Sequence, residues 1–128
     1  MNPNFEEIGR EFVKQYYSLF DNQDTRLGMA VFYNAESSLL TFEGKQLQGA
    51  LNIIEKFSTL GFKNINRVIT TVDSQPMLDG GVLISVLGRL QCDEDPPHEF
   101  TQIFILQAIQ GSFVLMHDIF RLGLHDLP

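Results

Sequence analysis

Basic residues are scarce in this chain. Lysine and arginine number nine against sixteen aspartates and glutamates, for a formal net charge of −7. The nine are scattered, and phosphate binding relies on clustered cations, so nucleic acid is not an expected partner. Cysteine is rarer still. Cys92 stands alone, cannot close an internal disulfide, and fits a reducing compartment such as cytosol or nucleus. His98, His117 and His125 form no ligand spacing, and one thiol is too few, so no metal is expected. The chain lacks a Gly-rich phosphate loop and a nucleophile elbow, and no cofactor is implied. It also lacks any apolar run near the roughly 18 residues of a membrane span. The opening MNPNFEEIGREF has no continuous apolar segment of the secretory kind, so neither a signal nor a membrane role is expected.

What is present suits one domain. The 128 residues are 44% hydrophobic and 20% charged, ordinary values for a globular protein that buries a single core. Residues 4–20 read as a helix. Phe5, Ile8, Phe12, Tyr16 and Leu19 recur at helical spacing, and Asn4 with Glu7 has the form of a capping box. A short second helix is expected from Asp24 to about Tyr33. SSLLTFEGKQLQG, 37–49, reads as two short strands about a turn at Glu43-Gly44. ALNIIEKFSTLGF reads as a third helix with Leu51, Ile54 and Phe57 apolar, Ile53 and Leu60 as further apolar candidates, and Gly61 as its stop.

The remainder is strand-rich. Residues 64–73 form one strand, DSQP and LDGG read as loop and turn, and 82–92, 100–109 and 113–122 form a meander. Helices first and a curved antiparallel sheet later define the α+β class. The sheet carries an anomaly. A half-exposed strand should alternate apolar and polar residues. Here Phe104 and Leu106 fall on one face and Ile103 and Ile105 on the other. By the same alternation Phe113, Leu115 and Ile119 oppose Val114, Met116, Phe120 and Leu122. Three helices can cover one face, and a second copy of the chain is the commonest cover for the other.

Two acidic features stand out. In LGRLQCDEDPPHEFTQIFIL, 87–106, three adjacent acids precede two prolines. In an extended segment Asp93 and Asp95 face one way and Glu94 the other, with Pro96 and Pro97 stiffening the loop. Asp118 shares a face with Met116, Phe120 and Leu122 and so reads as a buried carboxylate. Such an acid can serve a cavity enzyme, with Tyr16 or Tyr17 as its partner, or can be hydrogen-bonded to a tyrosine for structure. His117 beside it points to the opposite face and does not pair with it.

FVKQYYSLFDN (12–22), LTFEGKQLQG (40–49), DSQP (73–76), LGRLQCDEDP (87–96) and FRLGLHD (120–126) together resemble the nuclear transport factor 2 family, in order and across nearly the whole chain. The resemblance implies a cone-shaped α+β fold of three helices packed on a bent antiparallel sheet, in a single domain spanning 1–128 and paired as a homodimer through the sheet. It implies a non-enzymatic carrier that binds the GDP form of the small GTPase Ran and the phenylalanine-glycine repeats of nucleoporins. The carrier would work in cytoplasm and nucleus and concentrate at the nuclear pore. Carried over by position, the Ran-binding acidic rim falls on Glu43, Asp93 and Asp95, and the cavity for a Ran aromatic side chain on Phe42, Leu60, Ile65 and Phe120. The repeat site falls on Phe5. Three departures stand out: phenylalanine replaces a common tryptophan at Phe5 and Phe42, His98 replaces a usually apolar residue, and Arg67 stands where histidine is common.

Overall fold

The computed structural model describes residues 1–123. The first helix, α1, spans Phe5–Phe20 and buries Gly9, Val13, Tyr16, Tyr17 and Phe20, a stripe at helical spacing. A 3₁₀ helix follows over Arg26–Phe32, and α2 spans Ala50–Ser58. The strands are β1 (Leu39–Phe42), β2 (Lys45–Gln48), β3 (Ile65–Pro76), β4 (Val82–Cys92), β5 (His98–Ile109) and β6 (Ser112–Leu122). They form one six-stranded sheet in the order β2-β1-β6-β5-β4-β3. The three helices lie on one face, and the α+β class is as expected. The sheet is mixed rather than wholly antiparallel, because β1 runs parallel to β6.

Several local expectations change. Asn4 makes no side-chain cap; its N–H donates instead to Asn2 Oδ1 at 2.9 Å. DSQP is not a loop, because β3 continues through it to Pro76 against Val82. Leu51 is 80% exposed, while Ile53 and Phe57 are buried. At 100° per residue, Leu51 lies some 200° around the helix from Ile53, so one inward stripe cannot hold both. FRLGLHD is described only as far as Gly123; its remainder, with His125, lies outside the described residues.

The last strand breaks simple alternation. Ile105 pairs with His117, but Leu106 pairs with Leu115, so Met116 is an extra residue on β6. Such a bulge shifts the parity of the pleat. Leu115, Asp118 and Phe120 consequently all face the helices, although Leu115 and Asp118 are an odd number of residues apart. The grouping of Leu115 with Ile119 is therefore corrected. On the outer face, cross-strand neighbours Ile103 and Ile119 remain 37% and 42% exposed, with Leu87 at 45%. The second apolar face is real, and no element among the described residues covers it.

Candidate functional site

Under the helices the sheet encloses a cavity of about 280 Å³. Its walls come from distant parts of the chain: Tyr16 and Phe20 from α1, Phe42 from β1, Leu60 and Phe62 from the segment after α2, Ile65 from β3, Leu90 from β4, and Phe120 and Leu122 from β6. The four sequence-expected cavity residues, Phe42, Leu60, Ile65 and Phe120, all line it. Phe42 and Phe120 are paired across the parallel β1–β6 ladder, and their rings stack with centroids 5.0 Å apart. Phe62, Leu90 and Cys92 were not anticipated. Leu90 and Cys92 occupy alternate positions of β4, which was signal enough.

A buried arginine holds the wall after α2. Arg26 is 2% exposed; its Nε donates to Phe20 O at 2.8 Å and its Nη1 to Phe62 O at 3.0 Å. The guanidinium thereby ties the carbonyl end of α1 to the segment carrying Leu60 and Phe62. A cation also suits the negative end of the helix dipole. Arg67 is the second buried cation. Its Nε and Nη2 grip the Asp21 carboxylate, with Nη2–Oδ1 at 2.7 Å, and its guanidinium lies 3.9 Å from the Tyr17 ring centroid. Burial raises the Asp21 carboxyl above its ordinary value even though Arg67 pulls it down. Arg67 thus forms an ion pair packed on aromatic rings.

The acids divide into two kinds. Glu43 and Asp95 stand at the cavity's edge with Pro96 and His98. Glu43 has φ +51°, and its Oε1 accepts the Leu122 N–H across the end of β6. Asp95 donates its backbone N–H to Cys92 O at 2.9 Å and carries no side-chain bond among the described residues. Asp93 is different. It too has φ +51°, so the segment turns rather than extends, and the face shared by Asp93 and Asp95 does not exist. Its carboxylate accepts the N–H groups of Lys63 and Asn64 at 3.0–3.2 Å, and it does not line the cavity. Those backbone donors hold its carboxyl below the usual value.

Asp118 lies beyond the cavity floor and is fully buried. Tyr16 and Tyr33 each donate to its Oδ2 at 2.8 Å, and Gln102 Nε2 donates to Oδ1 at 2.8 Å. Tyr17 reaches Gln102 instead, at 2.7 Å. Burial pushes the carboxyl up to about 6 against the pull of these three donors. Burial and the neighbouring carboxylate keep Tyr16 and Tyr33 protonated. Gln102 was missed by sequence reasoning; a lone amide between Phe100 and Phe104 on an inward face was the available clue. His117 is exposed on the other face, as expected.

Phe5 lies apart from the cavity, half-buried against the core in the first turn of α1. Among the described residues, no cluster of histidine, cysteine, aspartate or glutamate could hold a metal ion. No described helix is long and apolar enough to cross a membrane.

Residues 8–122 match the model of the nuclear transport factor 2 (NTF2) domain. The chain belongs to the nuclear transport factor 2 family. It is 46% identical to a probable nuclear transport factor 2 of Caenorhabditis elegans, with 98% of this chain and 97% of that one covered. It is 40% identical to nuclear transport factor 2 of Saccharomyces cerevisiae, with 96% and 98% covered. The solved nuclear transport factor 2 of Cryptosporidium parvum superposes with a TM-score of 0.89 at 37% identity, over 96% of this chain and 98% of that one. Family membership over the whole fold makes nucleocytoplasmic transport the work of this chain, as an import carrier.

Proposed function

We propose that this chain carries the GDP form of Ran into the nucleus, without catalysis, by taking an aromatic side chain of Ran into the cavity. The observation that carries the reading is an apolar cavity with two carboxylates, Glu43 and Asp95, on its lip. Burying one aromatic ring there contributes about 1.5–3 kcal/mol. Exposed ion pairs at the lip add about 0.2–1 kcal/mol each, and more where the docked ring excludes water. The ring supplies affinity; the acids orient the partner and speed encounter. Asp93 adds to the negative field of the lip and holds its turn through the backbone of residues 63 and 64.

The arrangement of Asp118 supports a carrier over a cavity enzyme of the same fold. Three donors occupy its oxygens, and Tyr16 and Gln102 stand between it and the cavity. A general base has to reach the substrate directly or through one water, and these side chains stand in the way. The outer apolar face around Ile103 and Ile119 supports a homodimer joined through the sheet. Phe5 binds phenylalanine-glycine repeats of nucleoporins in this reading, which concentrates the carrier at the pore.

The test is retention of purified Ran, loaded with GDP or GTP, on the immobilised chain. Selective retention of the GDP form is expected, with loss in Glu43→Lys and Asp95→Lys variants that keep their far-UV spectrum. Undiminished capture by both variants would sink the site. Phe5→Ala should weaken repeat binding and leave Ran capture unchanged; loss of both together points to unfolding.

A further inference from the structure

A second concavity of about 480 Å³ lies along the N-terminal part of α1, between that helix and the β5–β6 hairpin. It shares no lining residue with the cavity and does not include Phe5. Three phenylalanines dominate its apolar surface. Phe12 meets Phe32 edge-on, with centroids 5.4 Å apart at 72°. Phe113 is 37% exposed at the start of β6, and the Tyr33–Leu115 bridge brings the end of the 3₁₀ helix alongside that strand. Rings that are partly open and mutually tilted leave edges and faces for a further ring, the arrangement aromatic groups prefer.

The border of this groove is acidic. Glu7 and Glu11 lie one turn apart on the same side of α1 and both line it. The helix N-terminus accounts for Glu7, since a negative charge in the first turn is favourable there. It does not account for Glu11, which is beyond the reach of that effect. The ion pair found along this helix is Arg10 with Glu6, so among the described residues neither Glu7 nor Glu11 has a basic partner. Glu11 is held by Gln15, whose Nε2 donates to it at 3.3 Å. The groove therefore combines an apolar floor with uncompensated negative charge along one wall.

We propose that this groove docks a short peptide segment with one aromatic anchor flanked by lysine or arginine. The anchor enters between Phe12, Phe32 and Phe113, and the flanking cations meet Glu7 and Glu11. Charge complementarity selects this occupant over neutral or acidic apolar segments. Because the groove and the cavity share no lining residue, a client held here leaves the cavity free.

The experiment uses the full chain, labelled with ¹⁵N, and three synthetic hexapeptides: Lys-Lys-Phe-Leu-Lys-Lys, Ser-Ser-Phe-Leu-Ser-Ser and Glu-Glu-Phe-Leu-Glu-Glu. The lysine peptide should shift the amide signals of residues 7–15 and 112–115 saturably, and it should bind about tenfold more tightly than the serine peptide. The glutamate peptide should not bind. Phe113→Ala should weaken the lysine peptide about tenfold. A surface double variant, Glu7→Lys with Glu11→Lys, should remove the preference for it even if Phe113→Ala perturbs the hairpin. Capture of Ran-GDP should be unchanged in both. Equal binding of the three peptides, shifts confined to the cavity residues, or a preference that survives the double charge reversal would each overturn the proposal.

Discussion

Asp118→Asn tests the buried network with a defined sign. In the folded chain the Asp118 carboxyl titrates at about 6, against 3.8 for an ordinary aspartate. Below pH 3.8 both states hold the proton, so the group contributes nothing to the pH dependence. Between those values the unfolded carboxyl ionises while the folded one keeps its proton, and stability falls as pH rises. Above about pH 6 both are ionised and the loss is complete. Roughly two pKa units correspond to about 3 kcal/mol, of which about 2–3 kcal/mol develops between pH 4 and pH 7. Asparagine keeps an oxygen for Tyr16 and Tyr33 but has no proton to lose. The measurement is urea unfolding of both proteins across that range at one fixed chain concentration, so that any self-association enters both equally. Other carboxylates cancel in the difference between the two. The wild-type chain should lose about 2–3 kcal/mol relative to the variant from pH 4 to pH 7. A difference that stays flat, or that grows in favour of the wild type, refutes the claim that burial outweighs the three donors.

Three further outcomes are expected. Asp21→Ala leaves the Arg67 guanidinium, whose side chain is 5% exposed, without its carboxylate, and should cost about 3 kcal/mol in urea unfolding; an unchanged midpoint counts against the pair. Gly9→Ala should lower the thermal midpoint even though alanine favours helix by about 1 kcal/mol, because its Cβ would overlap Ser74 Oγ on β3; a rise in the midpoint would mean that the helix can shift freely. Ile103→Lys should leave the far-UV spectrum intact and reduce the mass in sedimentation from two chains to one, since a charge at the centre of the outer face cannot be buried unpaired. Retention of the larger mass would assign another surface to the dimer.

The order of helices and strands was readable because helical spacing over 4–20 and 50–58 is broken by the short TFEG hairpin and gives way to alternation after residue 64. The edge of the sheet was harder. Nothing in LTFEGKQLQG distinguishes a hairpin with only its own partners from one whose first strand also pairs in parallel with the last. In the site, the apolar positions Phe42, Leu60, Ile65 and Phe120 were recoverable because the resemblance fixes them; Ile65, set among polar neighbours in KNINR, has no apolar run of its own. The acidic loop was only half legible. Alternation assumes extended backbone, and Asp93 adopts a positive φ that an aspartate tolerates but does not advertise. The polar pairings of Arg26 with the Phe62 carbonyl and of Gln102 with Asp118 join residues 36 and 16 positions apart. Composition and spacing carry no trace of such partners until the chain is folded.

The extra residue at Met116 acts as a phase shift within β6. Upstream of it, odd-numbered side chains meet the helices; downstream, even-numbered ones do. Deleting that one residue would restore regular alternation and leave Leu115, Asp118 and Phe120 facing the helices, with His117 and Ile119 still outside. What would change is the local bend and twist that a bulge imposes on its strand. Relatives with and without the extra residue could therefore present the same inward side chains on a differently bent last strand.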